Sequence, residues 1–198
     1  DDFDFQRVAR TLLEQNGLQT GDAMVYVQIT RGAAPRRHAF PNPPVAPTVY
    51  AFANPLPSRN EQQNSGVKVL LVPDERWTRC DIKSISLLAN VLAKQRAQVA
   101  DAYEAVFVRN DSITEGSHTN FAAVRHGRLW THPKNNFILG GVTREAVLEL
   151  CRELQIVAIE SSVRLTELSE FEEAMLLGTT SEVMPVVQIN GAQVGNGE

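Results

Sequence analysis

A chain of 198 residues with 43% apolar side chains can bury a substantial core, which fits one large domain or two small ones. A net charge of -4, with Lys and Arg scattered along the chain, leaves no basic field, so nucleic acid is not an expected partner. No stretch approaches the roughly 20 apolar residues of a membrane helix, and Asp1-Asp2-Phe3-Asp4 lacks the basic start of a secretory signal, so a soluble, cytoplasmic protein with no membrane contact is expected.

Phe5, Val8, Ala9, Leu12 and Leu13 recur at helical spacing and Gly17 follows at the place of a left-handed cap, so residues 4–16 are predicted as an amphipathic helix. Residues 24–30 are rich in β-branched side chains and read as a strand. Residues 31–40 are irregular, and the four prolines between 41 and 47 extend that loop. Residues 48–53 make another short strand. Residues 55–66 are polar and rich in Pro, Ser and Asn, which suits a linker, and the boundary falls near residue 58, giving units 1–58 and 59–198.

Residues 67–72 are a predicted strand, and residues 84–100 a helix carrying Leu87, Leu88, Val91, Leu92 and Ala93. Residues 105–108 and 121–124 read as strands, with His126-Gly127 turning the second into residues 128–131. A helix over 143–154, with Val147, Leu148 and Cys151 on its apolar face, follows Gly140-Gly141-Val142. Strands at 157–159, 174–177 and 186–189 complete the pattern, the last running into the hairpin dipeptide Asn190-Gly191. The elements lack a regular βαβ rhythm, so the expected fold class is mixed α/β, with a mixed sheet or partly closed barrel and packed helices.

Three local features can carry chemistry. Gly140-Gly141-Val142-Thr143 opens a helix, where free amides favour a phosphate, although an ordinary glycine turn explains the same residues. Gly178-Thr179-Thr180-Ser181 follows an apolar strand and offers three hydroxyls to one anion, or simply caps a turn. Asp81-Ile82-Lys83-Ser84 puts a lysine at the mouth of the predicted 84–100 helix. If half desolvated, its neutral amine can attack a carbonyl; most such lysines are solvated surface residues. A phosphorylated aldehyde would make the three features one site. Metal ligation is not expected, because His38, His118, His126 and His132 do not pair with carboxylates or cysteines at helical spacing. Cys80 and Cys151 read as reduced thiols.

Further motifs in the same order resemble the fold type IV aminotransferases that use pyridoxal 5'-phosphate, most of all those acting on D-amino acids. They are Val25 to Gly32 with Pro35-Arg36-Arg37-His38-Ala39-Phe40, Cys80 to Ser84, Ile113-Thr114-Glu115-Gly116-Ser117 with Asn120-Phe121, and His132-Pro133 with Asn135 to Leu139 and Gly141 to Arg144. The resemblance implies two domains, a partial small α/β domain and a larger pseudo-barrel. It implies Lys83 as the Schiff-base lysine, Glu115 beside the pyridine nitrogen, and Leu139 on a ring face. The amides of Val142 and Thr143 after Gly141 would hold the phosphate, with Thr179 and Thr180 in a second phosphate loop. Arg36 and His38 would grip the substrate carboxylate at a neighbouring subunit's site, so a homodimer is implied.

The family's chains begin with a further stretch that has no counterpart here, containing a phosphate-binding arginine and a tyrosine near the substrate, so the chain is expected to belong to a longer protein. Its start without Met and its stop at Asn196-Gly197-Glu198 fit that expectation. The implied reaction moves an amino group between a D-amino acid and a 2-oxo acid, D-alanine and 2-oxoglutarate being the type pair, with Lys83 as the base. The alternatives are a branched-chain L-amino acid aminotransferase, an aminodeoxychorismate lyase of the same fold, and a non-catalytic truncated paralogue.

Overall fold

The computed structural model describes residues 3–196; Asp1-Asp2 and Gly197-Glu198, which the reading of the chain ends involves, lie outside the described residues. The chain divides into two compact units, Asp1–Ser58 and Arg59–Glu198.

In the first unit, helix α1 (Phe5–Gln15) starts where the Asp4 carboxylate accepts from the Arg7 amide at 2.9 Å, satisfying one of the free donors of a helix start. Strands β1 (Ala23–Thr30) and β2 (Thr48–Pro55) pair antiparallel over their whole length, Ala23 opposite Pro55 and Thr30 opposite Thr48. The proline-rich stretch between them stays irregular, as its composition predicts.

The second unit begins with the short helix α2 (Asn60–Ser65), which lies in the stretch expected to be a linker. It is polar throughout, so no apolar stripe advertises it. Gln63 Nε2 donates to Glu182 at 3.3 Å. The strands are β3 (Val67–Pro73), β4 (Glu104–Arg109), β5 (Ser112–Gly116), β6 (Asn120–Arg125), β7 (Arg128–Thr131), β8 (Ala158–Glu160), β9 (Val163–Arg164), β10 (Glu173–Gly178), β11 (Glu182–Ile189) and β12 (Ala192–Gln193). The order β6-β10-β11-β3-β4-β5 returns to β6 through the pair Glu115–Asn120, so these six strands close into a barrel. β3 runs parallel to β4 and β11, and the other pairs in the ring are antiparallel. The expected mixed α/β barrel with packed helices is what forms.

Alternation along the strands explains the closure. Val69, Val106, Ile113, Phe121, Leu176 and Met184 belong to one buried cluster, while their neighbours face helices. Ala105 and Phe107 meet Ala93 and Ala97 of α3 (Leu88–Val99). Ala122 and Leu177 meet Leu148 and Cys151 of α4 (Val142–Glu153). Strands buried on both faces read as continuous apolar runs, which is why β3, β4 and β10 were legible. β5 has no counterpart among the predicted strands because its run Ser112-Ile113-Thr114-Glu115-Gly116 holds one large apolar residue. The helix expected over 84–100 begins only at Leu88: Ser84 Oγ accepts from the Ser86 amide and Ile85 O from the Leu87 amide, local bonds that compete with a helical turn.

Candidate active site

A cavity of about 220 Å³ opens on the second unit, lined from four places in the chain: the segment between β3 and α3, the β5–β6 turn, the approach to α4, and the end of β10. Lys83, Glu115, Leu139, Gly141, Val142, Thr143 and Thr179 all line it. Thr180 does not appear on its wall. Arg36 and His38 lie on the exposed irregular stretch of the first unit, between β1 and β2.

Glu115, 5% exposed on β5, anchors one end. Arg76 donates to its Oε1 at 2.5 Å, while Asn120 Nδ2 and the Leu139 amide donate to its Oε2 at 2.9 and 3.0 Å. Burial pushes the Glu115 carboxyl up to about 7; the Arg76 ion pair and the Leu139 amide only partly offset this, and the nearby Asp74 charge adds to the rise. Asp74 accepts from Arg76 Nε at 2.8 Å and from Arg109 Nε at 3.1 Å. Burial alone would raise Asp74; the two guanidinium groups win and hold its carboxyl below the usual range. The Arg76 guanidinium also stands over the Phe107 ring, 4.2 Å from its centroid. A carboxylate in this setting can hold a proton on a basic ring nitrogen placed against it.

Arg76 and Asp74 belong to none of the motifs quoted from the sequence, and Asn120, quoted in the motif after Glu115, carries no role there. The signal in the sequence is Asp74-Glu75-Arg76 directly after the apolar run of β3, where three consecutive charges follow a buried strand.

The opposite end is the start of α4. Gly141 precedes the helix with φ -71° and ψ 138°, and the first amides, those of Val142 and Thr143, have no intrahelical acceptor. Arg144, wholly buried, fixes this turn: Nη2 donates to the His132 carbonyl at 2.9 Å and pairs with Glu160 at 2.7 Å. Gly178 and Thr179, at the end of β10, complete that wall, with the Ser181 amide returning to Gly178 O at 3.2 Å. Such a helix start suits a phosphate group.

Lys83 lies on the irregular segment before α3, not at a helix mouth, and is exposed along the cavity rather than half desolvated. Its exposure leaves the amine accessible to a carbonyl. His118 lines the cavity and turns Nδ1 onto Oε2 of Glu104, a wholly buried carboxylate that also accepts from Ser117 Oγ. Burial raises the Glu104 carboxyl, and the bonds from His118 and Ser117 overcome it, so Glu104 stays below its ordinary value.

The residues present fit pyridoxal 5'-phosphate: a buried carboxylate with three donors for the ring nitrogen, an accessible lysine amine for the aldehyde, and a glycine-preceded helix start for the phosphate. Residues 1–189 match the family model for amino-transferase class IV. The chain is 41% identical over 96% of its length to the D-alanine aminotransferase of Staphylococcus haemolyticus, of which it spans 67%. It is 40% identical over 90% of its length to that of Bacillus licheniformis, of which it spans 63%. The branched-chain amino acid aminotransferase of Escherichia coli matches with a TM-score of 0.84 and 25% identity over 98% of this chain and 66% of that one. A Mycobacterium tuberculosis aminotransferase solved with α-ketoglutarate and PMP bound shares the fold, with a TM-score of 0.81 at 19% identity over 98% of this chain and 71% of that one. The chain spans about two thirds of the length of these relatives, and fold and sequence agree along it: the chain belongs to the class IV aminotransferases, pyridoxal 5'-phosphate enzymes of fold type IV.

Proposed function

We propose that the protein transfers the amino group of a D-amino acid to a 2-oxo acid, with D-alanine and 2-oxoglutarate as the type pair and pyruvate and D-glutamate as products. The observation that carries the D-specific reading is the 41% identity to a D-alanine aminotransferase, across a span that includes the loop with Arg36 and His38. A branched-chain L-amino acid substrate is the second reading, favoured by the 0.84 TM-score to the Escherichia coli enzyme.

Pyridoxal 5'-phosphate, when bound, supplies the electron sink for the charge left on the substrate's α-carbon. Nζ of Lys83 would hold the aldehyde and, as a free amine, would take up the α-proton and return it. Glu115 would hold a proton on the ring nitrogen, since a cation placed against it would favour the ionised carboxylate, and a value near 7 puts that within reach. Leu139 supports a ring face. The Val142 and Thr143 amides, following Gly141, take the phosphate together with Thr179, and Thr180 backs that loop. Arg36 suits the α-carboxylate because its planar fork matches two oxygens, with His38 beside it.

The protein works as a homodimer in this reading. The exposed apolar side chains of Ile85, Leu88, Val91 and Leu92, on and before α3, suit a surface that a second copy covers.

Two measurements test the proposal. Incubation with D-alanine and 2-oxoglutarate should yield pyruvate, read by a lactate dehydrogenase couple, and D-glutamate, read by chiral chromatography; L-leucine turnover with no D-glutamate would sink the D-specific reading. Borohydride should fix the cofactor covalently on the wild type and not on Lys83→Ala; equal labelling of both overturns the assignment of Lys83.

A further inference from the structure

Asn120 touches three parts of the cavity at once. It opens β6 and pairs with Glu115, the register at which β5 and β6 close the barrel. Its side chain is buried, and Nδ2 donates at 2.9 Å both to Glu115 Oε2 and to the Leu139 carbonyl. Both of those partners are acceptors, so the amide nitrogen faces them and Oδ1 faces the other way. That oxygen lies 2.2 Å from where a Cβ on Gly141 would stand.

The glycine is therefore not demanded by its own backbone. At φ -71° and ψ 138° any L residue is comfortable, and the next nearest group outside Asn120, the Arg144 Cβ at 3.9 Å, is an ordinary contact. Gly141 is small because Asn120 occupies the space. One amide thus spans the carboxylate end, the Leu139 backbone and the turn that opens α4. Leucine in its place would lack the donors, and aspartate would set a second carboxylate against Glu115.

We propose that Asn120 is a positioning residue that joins the Glu115 end and the Gly141 end of the cavity into one frame, setting the span between the group that meets the ring nitrogen and the amides that meet the phosphate. This rests on the reading of the cavity as the pyridoxal 5'-phosphate site. Asn120 acts through Glu115 and Gly141.

The experiment is a double-mutant cycle of Asn120→Ala, Gly141→Ala and the pair, each checked for cooperative thermal unfolding. The apoproteins are titrated with pyridoxal 5'-phosphate and, in competition, with inorganic phosphate. The holoproteins are titrated with acid and base while the visible absorbance is followed. Asn120→Ala should weaken cofactor binding about tenfold or more, as expected for lost hydrogen bonds to a charged group. It should also weaken inorganic phosphate and move the absorbance midpoint, because both ends lose their brace. Gly141→Ala should weaken binding by driving its methyl group into Asn120. In the pair that conflict is gone, so the pair should bind more tightly than the product of the two single losses. Additive losses in the pair, or an Asn120→Ala protein with either its phosphate affinity or its absorbance midpoint unchanged, overturn the proposal. Where Asn120→Ala does not fold, Asn120→Ser carries the same comparison. A wild-type protein that takes up no pyridoxal 5'-phosphate overturns the site reading itself and is distinguishable from all of these results.

Discussion

Glu104 and Glu115 are buried carboxylates on adjacent strands of one barrel, yet their ionisation is pushed in opposite directions. Burial raises both. Glu104 then receives His118 and Ser117 for itself, with Lys94 at 4.0 Å, and falls below its ordinary value. Glu115 shares its one cation, Arg76, with Asp74, whose negative charge pushes Glu115 further up. The contrast teaches that the partners' commitments elsewhere, more than the number of hydrogen bonds, decide the charge state of a buried acid. It also separates two tasks: Glu104 is held as a fixed anion, and Glu115 is left able to respond to a cation brought into the cavity.

Removing the shared cation breaks the comparison most severely. Arg76→Met leaves Glu115 buried without a guanidinium and Asp74 with Arg109 alone, and the loss expected for one side of a buried ion pair is about 3–5 kcal/mol. Chemical denaturation at pH 8 should show it, with a smaller loss at pH 5, where the stranded carboxyls take up protons; equal losses at both pH values would break the account. Glu104→Gln removes a carboxylate with charge-assisted bonds and should destabilise by about 1.5–3 kcal/mol at neutral pH. Since the folded value of Glu104 is lowered, its contribution is present above the unfolded value of 4.5 and is lost as pH falls through the folded value. The wild-type advantage over Glu104→Gln should therefore shrink on acidification below about 4.5.

Glu115→Gln is the mildest change. The folded carboxyl is raised from 4.5 to about 7, so the native state binds more protons than the unfolded chain between those values, and wild-type stability falls as pH rises through that window. Near-isosteric glutamine should abolish that slope in the apoprotein while costing under about 1 kcal/mol at pH 5, where the carboxyl is already protonated. An unchanged slope on titration of the variant would refute the assignment of the raised group to Glu115.

The site was legible where its chemistry depends on short local patterns. The glycine-preceded start of α4, the hydroxyls after β10 and Lys83 were each visible as segments, and their order with Glu115 carried the resemblance. Arg76 was not, and Asn120 appeared only as part of a motif without a role, because their importance lies in contacts across 39 and 5 residues of chain that no periodicity encodes. Similarly β5, with polar residues satisfied by side chains from elsewhere, carries no strand pattern, and residues 84–87, just after Lys83, look like helix because the apolar residues from Leu87 on fall at helical spacing. There the competing side chain and backbone bonds of Ser84 and Ile85 won.

Apolar runs in β3, β4, β6, β10 and β11, the amphipathic helices, and the turn dipeptides His126-Gly127 and Asn190-Gly191 were determined by the sequence itself, since each depends on side-chain periodicity or on left-handed backbone at neighbouring positions. Barrel closure at Glu115–Asn120, the sharing of Arg76 between two acids and the reason for glycine at 141 were decided only by tertiary structure. Each is a relation between groups brought together by folding, and the free energy of a buried charge or a close contact depends on those neighbours rather than on the residue that carries it.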